Sequence, residues 1–181
     1  MRRIVSNFFI SLDGVVQSPE QWHLPYFSDA MGELVSAGAA TSTAFLLGRT
    51  GYDEWSAFWP SRGFVDPFAG FINTVEKVVL THRPIDGSAW ANTTVVDHDH
   101  VARIRALKET GEGDITMSGC ATTVRWLLGE GLLDELSLLV HPLAVGHGHR
   151  LFEDGDTAAL ALDSSATLPN GVVHLRYRPA S

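Results

Sequence analysis

Apolar residues fall along this chain in short blocks whose period changes from block to block. Residues 4–12, with Val5, Phe8, Phe9 and Ile10, read as a buried strand. The same reading applies to 43–47, 77–80, 93–96, 115–117 and 136–140. Helical spacing appears between them. Residues 26–38 carry Phe27, Met31, Leu34 and Val35 on one side, with Ser28 placed to cap. Val101, Ile104 and Leu107 mark a helix that Asp99 can cap and Gly111 stops. Ala121, Val124, Leu127 and Leu128 mark another, with Gly131 past its end. Asp66-Pro67 opens a short helix, and 57–64, aromatic and proline-bearing, reads as a loop. In the tail, Leu160 and Leu162 suggest a strand. The turn Pro169-Asn170-Gly171 follows, and then Val173, Leu175 and Tyr177 alternate with His174, Arg176 and Arg178, as in an antiparallel hairpin. Residues 115–152 run strand, glycine turn, helix, strand, a crossover that normally joins parallel strands of one sheet. The expected fold is α/β, a mixed, mainly parallel sheet flanked by helices, with a C-terminal antiparallel hairpin.

The 181 residues suit a single domain, 1–181. A net charge of −8 argues against general nucleic-acid binding, which needs a basic face. There is no apolar run of bilayer length, and the N-terminal stretch has no apolar core of the signal-peptide kind. One cysteine excludes an internal disulfide framework and suits a reducing compartment. The expectation is a cytoplasmic protein with no membrane or nucleic-acid partner.

Candidate chemistry gathers at strand ends. After the strand 43–47 come Gly48, Arg49 and Thr50. Glycine permits close approach and Arg49 offers a forked cation to phosphate, or else pairs with Asp53 or Glu54 on a solvated turn. Thr81, His82 and Arg83 follow 77–80. Ser118, Gly119, Cys120, Ala121 and Thr122 open a helix, where free N–H groups and the dipole attract anions, unless the turn is merely tight. These three ends, at Gly48, Thr81 and Ser118, are placed to converge on one anionic ligand. Residues 15–25, with Trp22 and His23, suit a lid over a pocket or an ordinary connection. Asp97-His98-Asp99-His100 does not read as a metal site, because neighbouring residues at a helix start point apart, nor does His147-x-His149, which lies in a Gly-rich loop with no acidic partner beside it. No G-x-G-x-x-G, Walker loop, G-x-S-x-G elbow or H-E-x-x-H occurs. Cys120 has no clear partner histidine that would make it a nucleophile.

Taken in order, Ser11-Leu12-Asp13-Gly14, Leu47-Gly48-Arg49-Thr50, Val79-Leu80-Thr81, Ser118-Gly119 with its helix, and Pro142 with Gly146-His147-Gly148 then Leu151-Phe152 resemble the dihydrofolate-reductase-like fold. The nearest resemblance is to the reductase domain of riboflavin-biosynthesis deaminase-reductases (the RibD C-terminal domain) and its stand-alone homologues, over nearly the whole chain. That resemblance implies an NADPH-dependent reductase of a pterin-, pyrimidine- or related heterocyclic substrate, including the reduction step of riboflavin biosynthesis, working as a homodimer. It implies that Gly48, Arg49 and Thr50 hold cofactor phosphates, and that Thr81, His82 and Arg83 sit by the 2′-phosphate. Ser118, Gly119, Cys120, Ala121 and Thr122 would meet the pyrophosphate. Asp13, Gly14, Val15 and Val16 would border the nicotinamide, with Trp22 and Tyr52 at the substrate. True dihydrofolate reductases carry an acid early in the first helix after a Trp-x-x-Pro-like stretch. Here Trp22-His23-Leu24-Pro25 precedes Tyr26 and Phe27, and Asp29 is the nearest acid. Asp29 is the expected proton donor, with Asp13, His23 and Tyr52 behind it. A true dihydrofolate reductase and a non-catalytic NADPH-binding protein are the alternatives.

Overall fold

The computed structural model describes residues 1–65 and 67–180. The expected helix cap Asp66 lies outside them. In chain order the elements are β1 (Ile4–Ser11), α1 (Asp29–Thr41), β2 (Ser42–Gly48), α2 (Arg49–Arg62), α3 (Pro67–Thr74), β3 (Glu76–Leu80), β4 (Thr93–Val96), α4 (His100–Glu109), β5 (Asp114–Ser118), α5 (Ala121–Gly129), β6 (Glu135–His141), β7 (Leu160–Thr167) and β8 (Val173–Pro179). The strands are mainly parallel and end in an antiparallel hairpin, so the fold class is the α/β arrangement expected. The chain divides into two compact units, Met1–Ile4 with Val35–Cys120, and 5–34 with 121–181.

In the first unit the strand order is β4-β3-β2-β5, and every neighbouring pair is parallel. Its central strands β2, β3 and β5 are largely buried on both faces, as a sheet covered by helices requires, while the edge strand β4 is mostly exposed. Leu46, Leu47, Val79, Ile104, Ile115 and Met117 are wholly buried. Lys77 is buried with them. Its Nζ donates to the carbonyls of Ile72 and Asn73 at 3.2 and 3.4 Å, closing the last turn of α3, and stands 4.8 Å over the Trp90 ring. In the second unit β1 and β6 are parallel, and β6-β8-β7 continue antiparallel. Met31, Leu139 and Val172 form a core there, with Phe9, Tyr26, Leu34 and Leu168 against it.

Three local readings are corrected. The first helix begins at Asp29 rather than Tyr26, because Leu24–Tyr26 winds into a separate 3₁₀ turn. Ser28 does cap it, accepting from the Met31 N–H at 3.3 Å. Residues 57–64 are largely helix: α2 runs to Arg62 with Pro60 in its last turn. Tyr52, Trp55 and Trp59 recur there at helical spacing, and Trp55 and Trp59 pack on Phe45 and Phe68 at 5.3 and 5.1 Å, so tertiary packing overrides the proline. Asp99 precedes α4 with left-handed backbone (φ 51°), and its side chain makes no cap bond. The hydrogen-bonded parallel partner of β6 is β1, in register Ser11 with His141.

Candidate functional site

Because β2, β3 and β5 are parallel neighbours, their C-terminal ends emerge on one edge of the first unit's sheet. Gly48 opposes Leu80 in the ladder, so the chain leaves β2 beside the exit of β3. On the other side, the Gly48 N–H donates to Cys120 Sγ at 3.4 Å, which ties the end of β2 to the turn after β5. That turn passes through Gly119 at φ +77°, a left-handed conformation suited to glycine, and leaves it exposed before α5 begins. The Cys120 thiol is buried, and burial pushes its pKa up to about 11. It stays protonated and works as a tie.

Arg49 opens α2. Its Nε donates to Asp53 Oδ2 at 2.7 Å and its Nη1 to the carbonyl of Pro84 at 3.0 Å, with the side chain over a third exposed. Thr50 is exposed on the same turn. Tyr52 is buried, its hydroxyl donating to the Asp86 carbonyl at 3.0 Å. Thr81 is buried too. Its Oγ1 accepts from the Arg83 N–H at 3.0 Å and donates to the Arg83 carbonyl at 2.7 Å, a local turn that projects Arg83 outward. His82 is exposed and packs on His100 at 4.5 Å. Gly48, Arg49, Thr50, Thr81, His82, Arg83, Ser118, Gly119 and Cys120 thus all belong to one sheet edge. Ala121 and Thr122 form the first turn of α5, in the second unit.

In the second unit the loops after β1 and β6 are knitted together. Asp13 is the clasp. Its carboxylate accepts from Ser11 Oγ at 2.6 Å and from the N–H groups of Val145 and Gly146 at 2.9 and 2.8 Å. These donors hold its pKa down to about 2. Gly14 takes φ +83°, the Val16 N–H donates to the His149 carbonyl at 3.0 Å, and Trp22 Nε1 donates to the Gln17 carbonyl at 3.0 Å. Asp29 stands exposed at the first position of α1. His141 escaped the sequence reading. It is a lone histidine closing an apolar strand, wholly buried, with Phe9, Trp22, His23 and Tyr26 packed around its ring. Periodicity carries no signal for it, because the cage comes from the segment 22–26.

Solved structures share this architecture. A candidate riboflavin biosynthesis protein from Shewanella sp. PV-4 superposes with a TM-score of 0.75 at 17% identity, covering 99% of each chain. A pyrimidine reductase-like protein from Corynebacterium diphtheriae gives 0.69 at 14% identity, covering 99% of this chain and 92% of that one. Dihydrofolate reductase from Enterococcus faecalis, complexed with NADP(H) and RAB-propyl, gives 0.63 at 16%, covering 99% and 97%. In sequence, the uncharacterized protein YyaP of Bacillus subtilis is 25% identical over 190 residues, 97% of this chain and 94% of its own. The family model of the RibD C-terminal domain matches residues 2–174. The chain therefore belongs to the RibD C-terminal domain family.

Proposed function

We propose that the protein is an NADPH-dependent reductase. Its substrate is a pterin, pyrimidine or related heterocycle, with a 5-amino-6-(5-phosphoribosylamino)uracil-like compound first among them. The observation that carries the reading is the single sheet edge bearing Gly48, Thr81 and Ser118 with Arg49 and Arg83. The donor set fits a dinucleotide phosphate chain. An exposed left-handed glycine follows β5, guanidinium groups follow β2 and β3 on the same sheet edge, and among the described residues no carboxylate other than Asp53 is bonded to either guanidinium. Family membership supports the reductase class. One fold neighbour is complexed with NADP(H), and another, from Thermotoga maritima, is described as a deaminase and 5-amino-6-(5-phosphoribosylamino)uracil reductase.

When bound, NADPH supplies the hydride. In this reading Arg49 and Thr50 take the phosphates, Arg83 and His82 the 2′-phosphate, and the turn Ser118–Cys120 with Ala121 and Thr122 the pyrophosphate. Gly14 and Val16 take the nicotinamide side, and Trp22 and Tyr52 the substrate. The proton falls to Asp29 or to water, since Asp13 is ionised and occupied as a clasp. That same shortage of a free carboxyl favours a second reading, an NADPH-binding protein without turnover. The spacing of Asp29 from Trp22-His23-Leu24-Pro25, off the register of true dihydrofolate reductases, weighs against folate reduction. The reading also includes a cytoplasmic homodimer formed through residues 136–152, which light scattering showing a monomer at micromolar concentration would refute.

The test is NADPH binding followed by tryptophan fluorescence, with NADH in parallel and an Arg49→Ala, Arg83→Ala double variant. Tight NADPH binding, weak NADH binding and loss of the difference in the variant support the cofactor. Oxidation of NADPH with a member of a heterocycle panel then separates the reductase from the binding protein. If neither nucleotide binds, both readings fail.

A further inference from the structure

The second unit contains two imidazoles that the proposed reaction does not use. His141 is wholly buried at the end of β6, and His23 is half-buried in the segment after β1. Their rings stand 6.0 Å apart and perpendicular. His23 lies flat on Phe9 at 4.5 Å and meets Phe27 edge-on at 6.3 Å. Trp22 and Tyr26 meet His141 edge-on at 5.3 and 5.8 Å. Trp22 and Phe27 meet these two histidines edge-on, while Tyr26 meets His141 and also packs on the core of Met31, Leu139 and Val172. The pair is therefore a principal fastening of the segment onto β1 and β6.

Its protonation state follows from the bonding. His141 Nδ1 lies 2.8 Å from the Leu139 carbonyl, which can only accept, so Nδ1 carries the hydrogen and Nε2 is a bare lone pair when the ring is neutral. That Nε2 is buried without a hydrogen-bond partner, and so is His23 Nδ1. A proton on either atom would put a cation among aromatic rings, with no hydrogen bond already formed at that nitrogen among the described residues.

We propose that His23 and His141 form a pH-sensitive latch: neutral, they fasten segment 18–27 onto β1 and β6, and protonated, they release it. Burial is the largest influence lowering both pKa values, and the charge of His141 further disfavours the His23 cation. Against this, Glu20 on the segment favours His23 cation, and the Leu139 and Ile10 carbonyls favour His141 cation. Tyr26 faces His141 with its ring edge. Asp29 and Glu33 on α1 act on neither imidazole. On β8, His174 is engaged by Ser137 at 2.9 Å and responds to Arg176 and Glu135 instead. The open segment binds protons more readily than the closed one, so opening grows as pH falls below the free imidazole value of about 6.5. For one histidine that stays neutral when closed, the opening equilibrium rises up to about 25-fold between pH 7 and 5.

The latch does not rest on the reductase reading, and its test needs no ligand. Hydrogen exchange resolved by mass spectrometry, corrected for intrinsic rates, is compared at pH 7 and 5 in the intact wild type, His141→Phe and His23→Phe. Protection of 18–27 should fall at pH 5 while that of β1, β6 and residues 15–17 holds, and the pH effect should shrink in each variant. An unchanged segment in the wild type, or an undiminished effect in both variants, overturns the latch. Imidazole NMR titration of the wild type decides independently of the variants. Apparent pKa values below free imidazole for both rings support it, and values at or above that overturn it.

Discussion

Gly51 offers the sharpest test of the packing behind the sheet edge. It lies in the first turn of α2, where replacing glycine by alanine ordinarily stabilises a helix by about 1 kcal/mol. Here a Cβ would stand 2.6 Å from Cys120 Sγ, about 0.8 Å inside ordinary contact. The sulfur cannot swing aside freely, because it is buried and accepts the Gly48 N–H. Overpacking of this kind costs about 1–3 kcal/mol. The net expectation for Gly51→Ala is therefore a loss of about 0–2 kcal/mol, the clash cancelling or outweighing the helix gain. Cys120→Ala removes the obstacle, so adding Gly51→Ala to that background should be neutral or stabilising. The double-mutant cycle should return a coupling of at least about 1 kcal/mol. Urea unfolding of the four proteins measures it, and any loss in the single variant should also lower its melting temperature, at roughly 2–4 °C per kcal/mol. If Gly51→Ala changes stability equally in the wild-type and Cys120→Ala backgrounds, the close approach of α2 to Cys120 is not a packing constraint.

Further outcomes follow from the buried and clasped groups. Burial lowers the Lys77 pKa to about 8 from 10.5, so between these values the unfolded chain holds a proton the folded one has lost. Wild-type stability should then rise from pH 8 to 10 relative to Lys77→Met, read as the difference in denaturant midpoints; parallel curves would contradict it. Asp13 has its pKa lowered to about 2 from 3.8, so its contribution is full above the higher value and disappears as pH falls through the lower. Asp13→Asn should speed amide exchange at Val145 and Gly146 roughly tenfold at neutral pH, with β6 itself unaffected. Arg176 grips Glu135 through two bonds of 2.8 and 2.6 Å across the β6–β8 pair, and Arg176→Ala should cost about 1 kcal/mol, a loss that salt reduces.

What the sequence made legible depends on how local the cause is. The β5 turn, α5 and its stop at Gly131 could be read because glycine geometry and helical spacing act within a few residues. The hairpin could be read from its turn and its alternation. The helical state of 57–62 could not, because Pro60 argues locally for a break while Phe45 and Phe68 argue for the helix from distant positions. The strand ends at Gly48, Thr81 and Ser118 were visible as chemistry, but their shared edge depends on the parallel order β3-β2-β5. His141 was invisible because its meaning lies in partners 115–132 residues away. Asp13 was visible as an acid, but the two N–H groups that fix its charge come from the loop after β6.

Arg49 shows why two readings of one residue need not exclude each other. Sequence offered it either as a phosphate ligand or as one half of a solvated ion pair, and the structure contains the ion pair, with Asp53 at 2.7 Å. Both partners are well exposed, however, and such an i,i+4 pair is worth only about 0.3–0.5 kcal/mol. A doubly charged phosphate offering a forked acceptor outcompetes it at little cost. The pair then acts as a holder, keeping the guanidinium extended toward the Pro84 carbonyl rather than free to wander. For the anionic cofactor proposed, this would matter in a chain of net charge −8, whose long-range field repels an anion and is screened beyond about 8 Å at physiological salt. Affinity for such a ligand must come from groups within that distance: the N–H groups of the β5–α5 turn and the two guanidinium groups on its own sheet edge. The composition therefore excludes binding by the field of the whole protein, and leaves binding by a few placed donors as the one electrostatic route available.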